Sequence, residues 1–166
     1  AIDDRARITE LSKAAIDTMR RFLRLAGSPF LRPILRLTLG REAVDSAVRN
    51  RRVGDDFLER WSKGNDPLFY NAPVILIGHA KSGRPFARDD AVYAAYNLML
   101  AADRRGLSSC QIGIFQVIVD RSRKVQRMLG LPERRSAQII LTLGYPLHGY
   151  RRLVPRRAPE LVWNPR

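Results

Sequence analysis

Two short apolar runs rich in β-branched residues constrain this chain more than any other feature. Ala72-Pro73-Val74-Ile75-Leu76-Ile77-Gly78 and the stretch from Ala137 to Leu143 each read as a buried strand, the second closed by Gly144-Tyr145-Pro146. The remaining apolar residues recur mostly at helical spacing, so a helix-rich α+β fold with few strands is expected. At 166 residues and 45% hydrophobic content the chain suits one domain, residues 1–166, with a core of its own. That hydrophobicity excludes a wholly disordered chain, and no internal repeat or low-complexity segment occurs.

Helix signals fill the rest. Asp3 or Asp4 can cap a first helix, on which Ile8, Leu11, Ala15, Met19, Phe22 and Leu23 share a face and which Gly27-Ser28-Pro29 ends. Phe30 to Leu39 reads as a short helix or an irregular segment, and Asp45 to Arg52 as a polar stretch. Asp55 to Trp61 reads as a short helix before the turn Gly64-Asn65-Asp66-Pro67. After a loop at Lys81-Ser82-Gly83-Arg84-Pro85, Asp89-Asp90 can cap a helix to about Arg105. Val92, Ala95, Tyr96, Met99 and Ala102 would form its inner face and Gly106 its stop. Helical pattern returns between Phe115 and Leu129, broken near Asp120 and ended by Gly130. The stretch from Arg151 to Arg166 holds three of the ten prolines and is expected to run extended over a surface.

The net charge of +14 arises from 30 basic and 16 acidic residues, and 26 of the basic residues are Arg. Split at residue 83, the first half carries 15 basic and 10 acidic residues, the second 15 and 6. A basic excess points to a polyanion or an anionic surface, or else reflects an Arg-for-Lys bias of composition, and its even spread favours the second reading. No stretch approaches the ~20 apolar residues of a spanning helix. The N-terminus also lacks the apolar core of a signal peptide, so a cytoplasmic protein with no membrane partner is expected. The first residue is Ala, which fits a processed chain or part of a longer one. One cysteine, Cys110, excludes an internal disulfide, and with only two histidines it excludes a closed structural zinc site without carboxylate ligands.

Most catalytic motifs are missing. No Gly-x-Gly occurs among the eleven glycines, which removes a dinucleotide-binding fold. The window Gly78 to Gly83 imitates a phosphate loop, but Arg84-Pro85 follows where Lys-Ser/Thr is required. His79 and His148 have no nucleophile at a recognised spacing, and helix capping accounts for Asp89-Asp90. One segment stands out, Gly106-Leu107-Ser108-Ser109-Cys110-Gln111-Ile112-Gly113, directly after a helix. Two glycines among small residues let a ligand approach main-chain N–H groups, although the same composition also makes an ordinary connector.

Taken in order, these pieces resemble the flavin-dependent nitroreductase family. Residues 72–78 are similar to its Ala-Pro strand, and Asp89 through Gly113, with Asn97-Leu98-Met99-Leu100-Ala101-Ala102, to its helix and flavin loop. Leu129-Gly130-Leu131-Pro132-Glu133 followed by Leu143-Gly144-Tyr145-Pro146 resembles its closing signature. Pro155-Arg156-Arg157-Ala158-Pro159 is similar to the tail that holds the flavin phosphate, so the resemblance spans about residues 66–160. The family's opening Arg-x-Ser-x-Arg segment, helix and strand have no counterpart. Ala1-Ile2-Asp3-Asp4 is similar to the end of that strand, so the domain is expected to be incomplete at its N-terminus. The long N-terminal section and the Ser-Ser-Cys loop resemble the subgroup that carries an N-terminal iron–sulfur ferredoxin module. These 166 residues hold no cluster-binding cysteine set, so any iron–sulfur cluster would belong to such a module.

The resemblance implies a nitroreductase-like fold, with helices around a small mixed sheet, and FMN held non-covalently at a homodimer interface. It implies hydride transfer from NAD(P)H to flavin N5 and on to a nitroaromatic or quinone, with no side chain as a compulsory acid or base. Carried over by position, Gln111, Ile112, Gly113 and Ile114 would lie along the isoalloxazine, with the Gly113 or Ile114 N–H facing N5. Arg156 and Arg157 would clamp the phosphate, with Arg152 as an alternative. Phe57, Trp61, Phe69 and Tyr70 would be core or a substrate lid, and Leu161-Val162-Trp163 would reach toward the partner subunit. Two other readings remain at this stage: a non-enzymatic basic module binding nucleic acid or anionic surfaces, and a flavin-free degenerate member of the family.

Overall fold

The computed structural model describes residues 1–149, 155, 157–160 and 163. The elements described are α1 (Arg5–Gly27), α2 (Arg32–Leu39), α3 (Arg41–Arg49), α4 (Arg51–Ser62), β1 (Val74–Lys81), α5 (Ala87–Asp103), β2 (Ser108–Gln111), α6 (Gly113–Arg121), α7 (Arg123–Met128) and β3 (Arg135–Gly144). The first helix forms for the reasons its pattern gives. The Asp4 carboxylate accepts hydrogen bonds from the N–H of Ala6 at 2.9 Å and of Arg7 at 3.5 Å, and Ile8, Leu11, Ala15, Met19 and Leu23 are buried on one face. Residues 41–62 are more helical than expected. Their charges are spaced for helix, with Arg51–Asp55, Asp56–Arg60 and Glu59–Lys63 pairs one turn apart along α4. Val44 and Gly54 supply the buried contacts of α3 and α4.

The strands form one sheet in the order β1-β3-β2, and every described pairing is antiparallel. Ile77 pairs with Ile140 and Gln111 with Leu141. A bulge between Gly78 and His79 on β1 skips Gln138 on β3, and this slip sets which side chains face which core. In an unbroken strand Ala137 and Ile139 would share a face. Here Ala137 joins Ile140 on the side of α1, α6 and α7, with Ile75, Leu11 and Phe115, whereas Ile139 and Leu141 turn to the other side against Ala95 of α5.

Four expectations change. β2 lies in the segment read as a connector; Ser-Ser-Cys-Gln carries little strand signal and is extended because it pairs with β3. Helix α5 has Phe86 at its N-cap with φ 59°, and Asp89 and Asp90 sit in its first turn, where they oppose the helix dipole without capping. Of the face expected to be inward, Ala95 and Ala102 are buried, while Val92 and Tyr96 are exposed. The β1 run is not buried on both sides, since Ile75 alone in it is fully buried and β1 is an edge strand. The break near Asp120 falls at Ser122, whose hydroxyl accepts from Val125 N–H at 3.4 Å to start α7, and Gly130 ends the unit with φ 64° as expected.

Candidate functional site

Gly106, at φ 72°, stops α5 and turns the chain into β2, and the next corner, at Ile112, leads into α6. Three buried side chains fix this corner from beneath. Ile112 lies in the core, its N–H donating to the Ile140 carbonyl at 2.9 Å. Phe115 meets Phe69 edge to face, with ring centroids 4.7 Å apart and an interplanar angle of 75°. Gln116, 3% exposed, donates from Nε2 to Asp120 Oδ1 at 2.8 Å and to the Ala137 carbonyl beside the bulge at 3.0 Å. Both neighbours are acceptors, which fixes the amide orientation and leaves Gln116 Oε1 without a described partner. Asp120 also pairs with Arg88 of α5 at 3.8 Å, so the polar chain links both helices that flank the corner.

The upper side of the same corner is open. Gln111 and Gly113 are exposed and Ile114 is half-buried. The N–H groups of Gly113 and Ile114, in the first turn of α6, have no hydrogen-bond partner among the described residues. A Cβ placed on Gly113 would meet no atom within 4 Å. A flat group can therefore approach the backbone at Gly113 closely, beside N–H donors with no described partner. Ile112 differs from its expected place along a ring, because its side chain and its N–H are both engaged in the core, and its part is to anchor the corner.

Of the other candidates, Phe69 is tied to this corner from beneath, through Phe115. Arg157 is exposed, with no hydrogen bond or ion pair to a described residue, and Arg156, Arg151 and Arg152 lie outside the described residues, as do Leu161 and Val162. Among the aromatic residues Phe69 is core, Phe57 and Trp61 are half-buried, and Tyr70 is exposed with φ 55°. No described group of His, Cys, Asp or Glu side chains is placed to hold a metal ion, and no described helix is long and apolar enough to cross a membrane.

Residues 111–114 line neither of two cavities found among the described residues. One, of about 420 Å3, lies between β1 and α5, lined by Leu76, Ala91, Ala95, Leu98, Ile139 and Leu141, with Arg84 and Asp90. The other, of about 510 Å3, lies beyond the end of α4 among Asp56, Glu59, Arg60, Lys63 and Tyr70. Among the described residues, neither of these cavities encloses the exposed side of Gly113. The neighbouring helix has a surface to spare. From Ala91 to Ala102 the single polar residue of α5 is Asn97, yet Tyr93, Tyr96 and Leu100 are exposed, at 72%, 60% and 48%. A helix apolar all round belongs in an interior. That signal was readable in the sequence, but assigning one inner face to the helix concealed it.

The nitroreductase family model matches residues 1–145. In fold the chain resembles the crystal structure of a nitroreductase with bound FMN from Bacteroides fragilis NCTC 9343, with a TM-score of 0.60 and 20% identity, covering 96% of this chain and 69% of that one. It also resembles oxidized iodotyrosine deiodinase bound to FMN and 3-iodo-L-tyrosine, with a TM-score of 0.56 and 16% identity, covering 98% of this chain and 73% of that one. No curated protein matches the chain in sequence. The family match takes in α1 to α4, which the motifs of residues 66–160 left out, and runs to Tyr145 beyond the end of β3: the chain belongs to the nitroreductase family.

Proposed function

We propose that this chain forms the FMN-binding part of a homodimeric oxidoreductase that moves a hydride from NAD(P)H, by way of the flavin, to a nitroaromatic or quinone acceptor. The observation that carries the reading is the open corner at Gly113, where two N–H groups have no described partner and a Cβ would meet clear space, above buried side chains. The residues fit a flavin. Gly113 and Ile114 offer donors to the electron-rich edge of the ring, and Gln111 offers an exposed side-chain amide beside them. Arg157, with Arg156, supplies guanidinium groups for the phosphate. Bound there, the flavin would supply two-electron transfer at N5, and the chain's task is to hold the ring flat, donate to it and exclude water from one face.

The exposed apolar face of α5 supports the dimer. A second copy joined through the outer face of α5 would bury Tyr93, Tyr96 and Leu100 and bring a second wall close to β2, against which α5 packs. Fold neighbours that include both a nitroreductase and a deiodinase show that the fold hosts more than one acceptor chemistry, so the acceptor is tested directly. Titration of the flavin-free protein with FMN should quench flavin fluorescence at a fixed stoichiometry. Anaerobic NADH or NADPH should then bleach the flavin absorbance, and a quinone should restore it. Unquenched fluorescence with protein in excess over FMN refutes the reading; binding without bleaching by either nucleotide refutes NAD(P)H as donor.

A further inference from the structure

Helix α2 is built inside out. Its polar side chains turn toward the protein, Arg32 Nε donating to the Ala26 carbonyl at 3.2 Å and Arg36 Nε to Asp45 Oδ1 at 3.0 Å. Its apolar side chains Leu37 and Ile34 turn away, 88% and 60% exposed, and Phe30 in the turn just before the helix is also 88% exposed. At helical spacing Ile34 and Leu37 lie about 60° apart, a stripe facing solvent that the exposed Phe30 precedes in the chain. With Phe30 and Leu37 so exposed, the stripe projects from the surface.

The charge around the stripe says what can cover it. Residues 20–52 hold nine Arg against Glu42 and Asp45, a net +7, which is half the excess of the whole chain. Comparing the two halves of the sequence hides this concentration, because the rest of the first half is net acidic. Arg20, Arg36 and Arg51 are ion-paired, whereas Arg21, Arg24, Arg41, Arg49 and Arg52 are exposed with no ion pair to a described residue. The apolar face of α5 is different, since the charges at its ends, Arg88, Asp89, Asp90, Asp103, Arg104 and Arg105, cancel. A neutral apolar face can meet its own copy, but joining two α2 stripes would press two +7 lobes together.

We propose that the lobe formed by the end of α1, α2 and α3 docks on an anionic membrane surface. Phe30, Ile34 and Leu37 enter the boundary between headgroups and acyl chains, and the unpaired arginines bind lipid phosphates. Projecting apolar side chains on a lobe whose contacting helices carry unpaired guanidinium groups are the chemistry of an interfacial helix, and neither half suffices without the other. This attachment is peripheral and needs no spanning segment.

The test is flotation of the purified 166-residue protein with vesicles of phosphatidylcholine alone or mixed with phosphatidylglycerol, at low and at raised salt. The expected result is flotation with the anionic vesicles, weakened by salt, and about tenfold less with phosphatidylcholine alone. Phe30→Ser with Leu37→Ser should lower binding to anionic vesicles by about tenfold or more, with an unchanged circular dichroism spectrum because both sites are exposed. Arg24→Glu with Arg41→Glu should lower it by a similar factor and remove the salt dependence that remains. The proposal is overturned if the protein stays at the bottom with anionic vesicles, if it floats equally with both compositions, or if the serine variant floats like the wild type. A serine variant that changes oligomeric state by light scattering, in a protein that does not float, assigns the stripe to a second copy instead. Retention on immobilised polyglutamate without flotation assigns the lobe to an acidic protein partner instead.

Discussion

Gly113→Ala separates folding from cofactor capture. Gly113 is the first residue of α6, its backbone lies outside the left-handed region, and an added Cβ meets nothing within 4 Å. In the flavin-free protein alanine is therefore accommodated without strain, and it lowers the conformational entropy of the unfolded chain. The stability gain is about 0.4–1 kcal/mol, a rise in Tm of about 1–4 °C for a domain of this size. A ring resting on the backbone at van der Waals distance experiences the opposite effect. The methyl group occupies the space that the ring needs, at a cost of about 1–3 kcal/mol, so the Kd for FMN rises by about 5- to 150-fold. Thermal melts without FMN and fluorescence titrations with it measure the two effects separately. A variant that melts higher and binds FMN as tightly as the wild type shows that no ring lies against Gly113. A variant that melts lower without FMN shows that the space above the corner is not clear.

The support beneath the corner gives further expectations. Phe115→Ala removes a fully buried ring that stacks on Phe69 and should cost about 3–5 kcal/mol by denaturant unfolding, with FMN binding weakened as the corner loosens; a loss below 1 kcal/mol would place Phe115 outside the core. Gln116→Leu leaves the Ala137 carbonyl at the bulge without its donor and should cost about 1–3 kcal/mol. Gln116→Glu should cost more at neutral pH, because a carboxylate would face Asp120 Oδ1 and the Ala137 carbonyl, both acceptors. The environment raises the folded-state pKa of the new carboxyl, so its penalty grows as pH rises above the unfolded value and shrinks in acid. Urea midpoints that are equal for Gln116→Glu and wild type at neutral pH would contradict that geometry.

The sequence shows some parts of this fold far better than others, for physical reasons. The α1 face, its Asp4 cap and the glycine stops at Gly106 and Gly130 are local chemistry, and local chemistry is legible. β2 was not, because Ser108-Ser109-Cys110-Gln111 is a strand only through its pairing with β3, which comes some thirty residues later in the chain. The bulge at Gln138 was equally invisible, although it decides that Ala137 packs with Phe115 while Ile139 packs with Ala95. The N-cap of α5 was misplaced because Asp89 and Asp90 favour the start of a helix both at the cap and in the first turn. For the site, residue spacing singled out the segment from Gly106 to Gly113 as one of two equal readings, and the ordered motifs of the family resemblance raised it to a flavin loop. The Gln116 anchor gave no signal, since a glutamine on a helix reads as solvated until its burial is known.

The α5 surface and the corner at Gly113 are physically joined. Helix α5, the Gly106 turn, β2 and the start of α6 are one continuous stretch of chain, and α5 packs on β2. Arg88 and Gln116 meet on Asp120, so the two helices are also tied by side chains. If the partner subunit covers the exposed face of α5 and the open side of the ring together, flavin binding and dimer formation stabilise each other by the same factor. FMN affinity should then depend on protein concentration, weakening on dilution through the dimer dissociation range. Tyr96→Asp places a charge on the exposed apolar face without touching the core, so the subunit should stay folded, run as a monomer in light scattering and bind FMN about tenfold or more weakly. FMN should in turn shift any residual monomer of the wild type toward dimer. A monomeric Tyr96→Asp protein with wild-type FMN affinity would uncouple the two events and confine the whole flavin site to one chain.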